Sequence, residues 1–440
     1  MTQLAEDRKI ATPWLTATRK AAADQFARAG YPKRDDEEWR FTSVDAIVKT
    51  KFVPGQADDS AANDLAGQYT FAGEAVTELV FVNGQFSPRL SKLGKLPRGV
   101  VVRRLADAFN QNAGEVADHL GKLASIQTNP FAALNTAELN DGAYLYFPRS
   151  TTVAQPIHLL FISTADGSPT HTTPRVLVVA EENVETTIVE SYVGNGTYFT
   201  NAVTEIFVGA DCRIDHCKLQ QESVDAYHLA AMNVHLGAKA QFVTHSLNIG
   251  GKLTRNELGV IMGGEYAEAT INGLVLMDGT RHCDNHTLLD HASANCPSHE
   301  LYKHVLNGKS TGVFKGKILV RKDSQKTDSK QTSKTLLLSD DAVMNSMPAL
   351  EIYADDVKCT HGSTTGPVDE EQVFYLRSRG IDNEAARHLM TYAFAADITR
   401  RIRVVPVRAR IENYMAAHAG LPLDLRIADL GAHDEAVVNI

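Results

Sequence analysis

The fold is decided by residues 209–269, which read GADCRIDHCKLQQESVDAYHLAAMNVHLGAKAQFVTHSLNIGGKLTRNELGVIMGGEYAEA. Three times in this stretch a glycine (Gly209, Gly237 and Gly264) is followed by small or apolar residues at every second position. The glycines are 28 and 27 residues apart, and a related segment, ENVETT, begins another 27 residues earlier at Glu182. A strand-rich unit of roughly 20–30 residues with a turn at a fixed phase is typical of a solenoid. The pattern predicts a parallel β-helix.

Working outward from the repeats, the chain divides into three predicted regions. β-branched, alternating segments dominate residues 151–366, which we assign to the β-helix core. Residues 1–150 mix helix formers with short strand-like pieces, and we expect a helical or mixed N-terminal domain there. Residues 367–440 return to helical patterns and are expected to form a C-terminal helical domain.

Several residues mark the predicted ends of helices. Thr42 and Ser43 are expected to cap a short helix in the N-terminal region. Asp369 and Asp382 are expected to cap two helices near the C-terminus, and Pro406 interrupts the second of them. One face of that second helix groups five apolar side chains at helical spacing, Ala386, Leu389, Met390, Ala393 and Phe394. This face has two possible roles, packing against the end of the solenoid and docking of a partner, and the sequence does not decide between them.

The composition limits what the protein can do. The chain has 44 Lys and Arg against 53 Asp and Glu, a net charge of −9 and no long run of one sign, so no nucleic acid partner is expected. No run of about 18 apolar residues predicts a membrane span, and the first residues lack the pattern of a signal peptide. Five cysteines, an odd and small number, argue against a disulfide framework. We expect a cytoplasmic protein with reduced thiols, and we expect Cys212 and Cys217 to be buried packing residues.

A phosphate-binding loop is suggested by NGKST at residues 307–311 but is not supported. The motif requires a glycine five positions before Gly308, where this chain has Lys303. We therefore predict that Asn307 and Gly308 form a turn between strands.

Acidic pairs at 340–341 and 355–356 suggest a carbohydrate-cleaving β-helix, because glycosidases place two carboxylates across the bond they break. Adjacent strand residues point to opposite faces, however, so turn or surface positions are favoured for such pairs. A carbohydrate-active enzyme is the most distant alternative function.

A dense group of ligand-type side chains occupies residues 282–299, and its members include His282, Cys283, His286 and Cys296. His282, Asp284 and His286 would share one face of a strand. Their spacing matches no structural zinc motif. Both a structural role and a metal- or sulfur-related role remain open for this group.

Cys359 and His361 lie in the segment KCTHG at residues 358–362. In a strand these two side chains would project to the same face about 7 Å apart, within reach of one metal ion or cluster. Cluster iron and zinc take about four ligands, so a partner chain or sulfide would have to complete such a site. By spacing alone, Cys-x-His is also compatible with a purely structural role.

Three segments together resemble the SufB/SufD family of iron–sulfur cluster assembly proteins. The run from TDSKQTSK to LRSRGI at residues 327–381 is similar to the family core, and HTLLDHASANCPSHELYK at 286–303 is similar to a second family block. GYPKRDDEEWRFTS at 30–43 is similar to the amino-terminal segment of the SufD branch. A SufB would carry Cys-Glu-His-Glu where this chain has Cys-Thr-His-Gly at 359–362, so the resemblance favours the SufD branch.

The resemblance implies a mainly β fold, a right-handed parallel β-helix flanked by N-terminal and C-terminal helical regions. It implies a non-catalytic scaffold subunit that pairs with SufB through the β-helix and docks the ATPase SufC on the C-terminal helices. SufC would supply ATP hydrolysis, and a transient iron–sulfur cluster would be built at the SufB–SufD interface. Whether a reduced flavin binds the complex, and whether the isolated chain forms a homodimer, stay open.

His361 is the site residue that the resemblance assigns most directly, since it matches the histidine placed at the SufB interface. Cys359 matches the neighbouring family position with a less defined role. Both are candidate iron or cluster ligands. The nearest alternative is a SufB-like subunit that itself receives sulfur and carries the cluster, in which case Cys283, Cys296 or Cys359 would be essential for sulfur loading.

Overall fold

The computed structural model describes residues 13–71, 76–165 and 167–418, without the side chain of His418. The last part of the predicted C-terminal region, 419–440, lies outside the described residues. The 22 described strands form two large sheets, one of 12 strands and one of 10. In chain order the strands are β1 (Val53–Pro54), β2 (Thr77–Val82), β3 (Gln85–Phe86), β4 (Val101–Arg104), β5 (Gly142–Phe147), β6 (Ile157–Thr164), β7 (Thr170–Thr172), β8 (Arg175–Ala180), β9 (Glu185–Asn195), β10 (Tyr198–Val208), β11 (Arg213–Gln221), β12 (Tyr227–Leu236), β13 (Gln241–Asn248), β14 (Leu253–Met262), β15 (Glu268–Met277), β16 (His282–His291), β17 (Pro297–Leu306), β18 (Thr311–Val320), β19 (Asp328–Leu337), β20 (Val343–Ser346), β21 (Ala349–Ile352) and β22 (Lys358–Pro367).

The two sheets form the faces of a parallel β-helix. From β8 to β19 consecutive strands alternate between the sheets, so each coil adds one strand to each face and pairs in parallel with the coil before it. The solenoid has about eight turns. This confirms the predicted mainly β class and the β-helix. Because β2 and β5 already join the sheets before residue 151, the exact bounds of the three regions stay a prediction.

One corner of each coil explains the sequence repeat. The residue there adopts a left-handed conformation with φ of 56° to 62°, and its N–H donates to a carbonyl of the next coil at 2.7–3.4 Å. The corner residues are Asn183, Asp211, Lys239, Tyr266, Asn295 and Lys326. The residue after each corner is fully buried, and at two corners it is Cys212 or Cys296. These two thiols therefore fill the position that Ala240 and Ala267 occupy in other coils, and the predicted burial of Cys212 is confirmed.

The remaining turns also follow the sequence. Asn307 and Gly308 lie in the turn between β17 and β18, with Gly308 at a φ of 64°, as predicted. Both acidic pairs, 340–341 and 355–356, are exposed in turns. Their surface-turn interpretation is confirmed.

Helices flank the solenoid on both sides. On the N-terminal side these are α1 (Pro13–Ala29), a short 3-10 helix (Glu37–Trp39), α2 (Asp45–Lys49), α3 (Asp59–Tyr69), α4 (Leu105–Gln111), α5 (Ala113–His119) and α6 (Pro130–Ala137). On the C-terminal side they are α7 (Glu370–Ser378), α8 (Asn383–Thr399) and α9 (Val405–His418). No helix among the described residues is both long enough and apolar enough to cross a bilayer.

The predicted caps are confirmed at the C-terminal helices but not at Thr42. Asp369 and Asp382 accept hydrogen bonds from the first N–H groups of α7 and α8, and Pro406 lies in the first turn of α9. Ser43 accepts from the N–H of Asp45 at 3.2 Å. The Thr42 hydroxyl instead binds the solenoid, because the segment that contains it packs against β16.

The predicted apolar face of α8 is only partly buried. Ala386 is buried against α7, whereas Leu389 is 38% exposed and Ala393 is exposed. In the second half of α8 a different face packs against the sheet, where Ala395 and Ile398 contact residues such as Cys217. The helix contacts α7 along its first half and the solenoid along its second half. A single continuous apolar face therefore could not pack against both neighbours. This contact also confirms that Cys217 is a packing residue.

Candidate functional site

The last coil leaves both sheets with an open edge. Among the described strands β22 pairs only with β19, while β20 and β21 both pair with β18 at the end of the other sheet. No strand of the described residues lies beyond them. Large apolar side chains on this coil are exposed, namely Val343 (47%), Ile352 (40%) and Tyr353 (63%). We call this surface the open end.

Cys359 and His361 lie on β22 at the open end and face the interior of the solenoid. Their in-register partners on β19 are Ser329 and Gln331, which are both buried. Cys359 is half-buried against the core, and burial raises the pKa of its thiol. His361 is exposed because no described coil covers it. The same-face geometry holds, while the role of the two residues as ligands stays a prediction.

The interior behind these two residues is polar, in contrast to the neighbouring strand β15, whose inward side chains include Ile271 and Val275. We call this region the terminal lumen. It comprises the inward-facing side chains of the last three strands of this sheet: Ser298, Glu300, Tyr302 and His304 on β17, Ser329, Gln331, Ser333 and Thr335 on β19, and Cys359, His361, Ser363 and Thr365 on β22.

The terminal lumen contains unpaired polar atoms. Gln331 Nε2 donates to Glu300 Oε2 at 2.7 Å. Among the described residues, Oε1 of Glu300, Oε1 of Gln331, the Ser333 hydroxyl and both ring nitrogens of His304 are buried with no hydrogen-bond partner. An unpaired buried polar group costs about 1–3 kcal/mol. Burial raises the pKa of Glu300 to about 7.

A separate charged network lies deeper in the solenoid. Lys218 donates to Nε2 of His228 at 2.8 Å and to Oδ1 of Asn256 at 2.5 Å, and His228 pairs with Glu222 at 2.9 Å. Burial lowers the pKa of Lys218 to about 8 despite the nearby carboxylates of Glu190 and Glu222. Unlike Glu300, these groups compensate one another's charge, so the network holds itself together without a ligand.

The buried histidines predict acid sensitivity, which His304→Leu tests. Burial lowers the pKa of His304 to about 3, so the unfolded chain, with an ordinary pKa of about 6.5, binds the proton first as pH falls. The unfolding free energy of the wild type should therefore drop below pH 6.5, and at pH 5 this histidine alone accounts for about 2 kcal/mol. The leucine variant should lose that part of the pH dependence and be no less stable at pH 7.5.

Urea unfolding at pH 5 and pH 7.5 measures this difference. His245 and His291, whose pKa values burial lowers to about 4, remain in both proteins, so only the change between the variants is diagnostic. His299→Leu is the control, since His299 lies on the outer, exposed face of the same strand. Equal pH slopes for His304→Leu and the wild type would contradict the prediction.

The residues at 282–286 form a structural clasp. His282, Asp284 and His286 share the outer face of β16, as expected, and the N-terminal segment covers them. The Thr42 hydroxyl donates to Asp284 at 2.5 Å and lies 2.9 Å from Nε2 of His282. Arg255 pairs with the same carboxylate at 2.5 Å. A guanidinium at the centre of the group occupies the place that a cation would take.

The rest of the clasp involves His286. It lies 3.0 Å from Asp284 and 3.4 Å from Glu38, and these carboxylates raise its pKa although burial opposes them. Cys283 points to the opposite face, and Cys296 is at a coil corner. The group therefore does not converge, and no cluster of three His, Cys, Asp or Glu side chains within the described ranges is arranged to hold a metal.

Sequence reasoning missed Glu300 and Gln331. Polar residues at alternate positions of a strand normally predict a solvent-facing side. Here the register places them inside, at the level where the preceding coil has Ile271. A signal was present, because the repeat predicts the phase of inward positions, and the same inward column already carries the polar residues His216 and Thr244 in earlier coils.

Comparison with known proteins agrees with this architecture. A family model for the SufBD core domain of SUF-system FeS cluster assembly matches residues 161–394, and one for the SufBD protein N-terminal region matches residues 4–159. Similar proteins include an iron–sulfur cluster assembly SufBD family protein of Synechocystis, 32% identical over 91% of this chain and 90% of the relative. The iron–sulfur cluster assembly protein SufD of Escherichia coli is 32% identical over 86% of this chain and 87% of its own. A SufBD family protein of Mycobacterium bovis is 30% identical over 71% and 79%.

The matched regions include both the solenoid with its open end and the N-terminal region that clasps it. The core match covers more than half of the chain, and the similarity to the Escherichia coli protein extends along most of both sequences. The chain belongs to the SufBD family of SUF-system iron–sulfur cluster assembly proteins.

Proposed function

We propose that this chain is a SufD-type, non-catalytic scaffold subunit of a cytoplasmic complex with a SufB-type and a SufC-type protein. It pairs with the SufB-type subunit through the open end, and the SufC-type ATPase docks on its C-terminal helices. Iron is acquired and a nascent iron–sulfur cluster is assembled as cargo between the two solenoids, with His361, and Cys359 beside it, facing that cargo.

The observation that carries this proposal is the position of His361 on the unpaired edge strand of the open end. An unpaired strand exposes a row of N–H and C=O groups that another strand can bind, and the neighbouring apolar side chains of Val343, Ile352 and Tyr353 would be covered at the same time. A partner solenoid that continues the sheets would bring its own ligands to His361. A neutral imidazole is a suitable ligand for iron.

The C-terminal helices supply a second surface for a partner. Phe374 is 70% exposed and Tyr375 is 57% exposed on α7, and Leu389 is 38% exposed on the adjoining α8. Aromatic side chains are enriched at protein interfaces. This surface supports docking of the SufC-type partner away from the strand that carries His361.

The cysteines argue against the SufB-like alternative. A thiol that accepts sulfur must be accessible and able to form the thiolate. Cys212, Cys217, Cys283 and Cys296 are buried, and burial raises the pKa of each, to about 12 for Cys283. Cys359, half-buried at the open end, is better suited to assist His361 than to replace a dedicated sulfur acceptor.

Co-purification with SufB-type and SufC-type proteins, followed by anaerobic cluster reconstitution, tests the proposal. Wild type and His361→Ala should both form the three-component complex, because His361 is exposed and supports no core contact. The cluster absorbance of the complex should fall by about half or more in His361→Ala, since an incomplete ligand set holds iron weakly.

Thr360→Ala is the matched control. Thr360 is exposed on the same strand but points to the opposite face, so its removal should leave the absorbance unchanged. The proposal fails if the chain forms no complex with these partners, or if His361→Ala and Thr360→Ala give the same absorbance as the wild type.

A further inference from the structure

We propose that Glu300, Gln331 and His361 together form a site for a divalent transition metal inside this chain, and that ferrous iron is the cargo bound there. The inference rests on the proposed function, because it identifies residues of this chain through which iron would be acquired. It concerns two residues of the terminal lumen that neither the sequence motifs nor the resemblance singled out.

The three side chains occupy successive rungs of one lumen column. Glu300 on β17 pairs in register with Gln331 on β19, which pairs in register with His361 on β22. Neighbouring strands are about 4.8 Å apart and in-register side chains point the same way. A cation beside Gln331 is therefore one rung from the carboxylate of Glu300 and one rung from the imidazole of His361.

The donor atoms at this position are unused. Gln331 Nε2 donates to Oε2 of Glu300, and Oε1 of Gln331 and Oε1 of Glu300 have no partner within ordinary hydrogen-bond distance in the described structure. The Thr287 hydroxyl interacts with the Glu300 carboxyl only as a weaker, more distant donor. Both residues are 2% exposed. The side chains that act on the Glu300 carboxyl are those of Thr287 and Gln331, and neither carries a charge. A buried carboxylate with no counter-charge is costly, and a bound cation would remove that cost.

Gly316 accommodates the Gln331 side chain in the lumen, and the open end gives access to it. Gly316 lies across the lumen, where an added Cβ would be 2.3 Å from Nε2 of Gln331. The glycine therefore makes space for the amide. Access comes through the open end, because His361 on the last rung is exposed.

The donor set fits the chemistry of the cargo. The site offers one imidazole nitrogen and two oxygens, and further positions stay open for water, sulfide or a partner's ligand. Such a donor set suits a borderline ion such as ferrous iron better than a set made only of thiolates would. Three donors from one chain would hold the ion loosely, as acquisition followed by transfer requires.

Anaerobic titration of the tag-free chain with Co²⁺, a spectroscopic substitute for ferrous iron, tests the site in the absence of partners. The d–d absorption should saturate at one equivalent in the wild type. Glu300→Gln keeps the shape and the hydrogen bond to Gln331 but removes the charge, and it should weaken the affinity about tenfold or more. His361→Ala should weaken it similarly. His299→Gln, on the outer face of the strand that carries Glu300, is the control and should bind like the wild type.

Urea unfolding of each variant at the pH of the titration shows that a loss of binding is not a loss of folding. The inference is overturned if Glu300→Gln binds Co²⁺ like the wild type, or if the wild type binds none. Failure of the proposed function is a separate result: the chain would then form no complex with SufB-type and SufC-type proteins, whatever its metal binding. Loss of Co²⁺ binding in folded Glu300→Gln and His361→Ala, with His299→Gln unchanged, supports the inference in either case.

Discussion

Arg175→Met is expected to lower the free energy of unfolding by about 3–5 kcal/mol, because it leaves a buried carboxylate without its partner. Arg175 and Glu205 are both completely buried, and their side chains are 2.5 Å apart. Burial alone would raise the pKa of Glu205, but Arg175 and three backbone N–H groups keep it below its ordinary value. The methionine variant removes the only charged member of that set.

The pair also joins the N-terminal region to the solenoid. The Glu205 carboxylate accepts hydrogen bonds from the N–H groups of Gly121, Leu123 and Ala124 at 2.9–3.0 Å. The Arg175 guanidinium donates to the Asn135 side chain at 3.0 Å and to Thr136 at 3.1 Å. Loss of Arg175 should therefore loosen residues 121–136 first.

Urea unfolding at neutral pH measures the loss, and hydrogen exchange of residues 121–136 locates it. Arg213→Met on the exposed face of β11 is the control and should change stability by less than about 0.5 kcal/mol. In the double variant Arg175→Met/Glu205→Gln the stranded charge is gone, and part of the stability should return. The explanation would be contradicted if the double variant had a lower free energy of unfolding than Arg175→Met, because removing the Glu205 charge would then restore no stability.

Gly264→Ala is expected to cost about 3 kcal/mol, the upper end for overpacking, because the contact is with backbone. An added Cβ would lie 2.1 Å from the backbone nitrogen of Ala238 and 2.5 Å from the carbonyl carbon of Gly237 in the coil below. Real Cβ atoms do not approach so closely, and the lower coil cannot move without disturbing its neighbours. The glycine is required by close stacking of the coils and not by its φ.

Gly279→Ala separates these two reasons. Gly279 has a φ of +60°, but an added Cβ there would meet nothing within 4 Å. That variant should cost only the conformational penalty of about 1 kcal/mol. Thermal or urea unfolding of both variants gives the comparison. If Gly279→Ala proves as destabilising as Gly264→Ala, contact between coils is not what selects the repeat glycines.

Local patterns in the sequence predicted much of the fold. The spacing of Gly209, Gly237 and Gly264 predicts the coil length, because each glycine must pass close to the backbone of the neighbouring coil. Asp369 and Asp382 predict helix starts because capping involves only neighbouring residues in the chain. The shared face of Cys359 and His361 follows from the two-residue period of a strand.

The candidate site was predicted only in part. The family resemblance and the strand position identify His361, whereas the local sequence predicts Thr42 as a helix cap. The structure differs because the partner of Thr42, Asp284, is 242 residues away in the chain. The apolar face of α8 was assigned as one stripe, although the helix packs against two different neighbours along its length.

By itself, the sequence determined the period of the solenoid, its corners and the helices that flank it, because these depend on residues close together in the chain. Only the tertiary structure decided which side of each strand faces inward near the open end. A strand of alternating polar residues has the same pattern whether Glu300 and Gln331 point to solvent or to the lumen. Register with the preceding coils places them inside, behind His361, and turns an ordinary polar strand into a candidate site for iron.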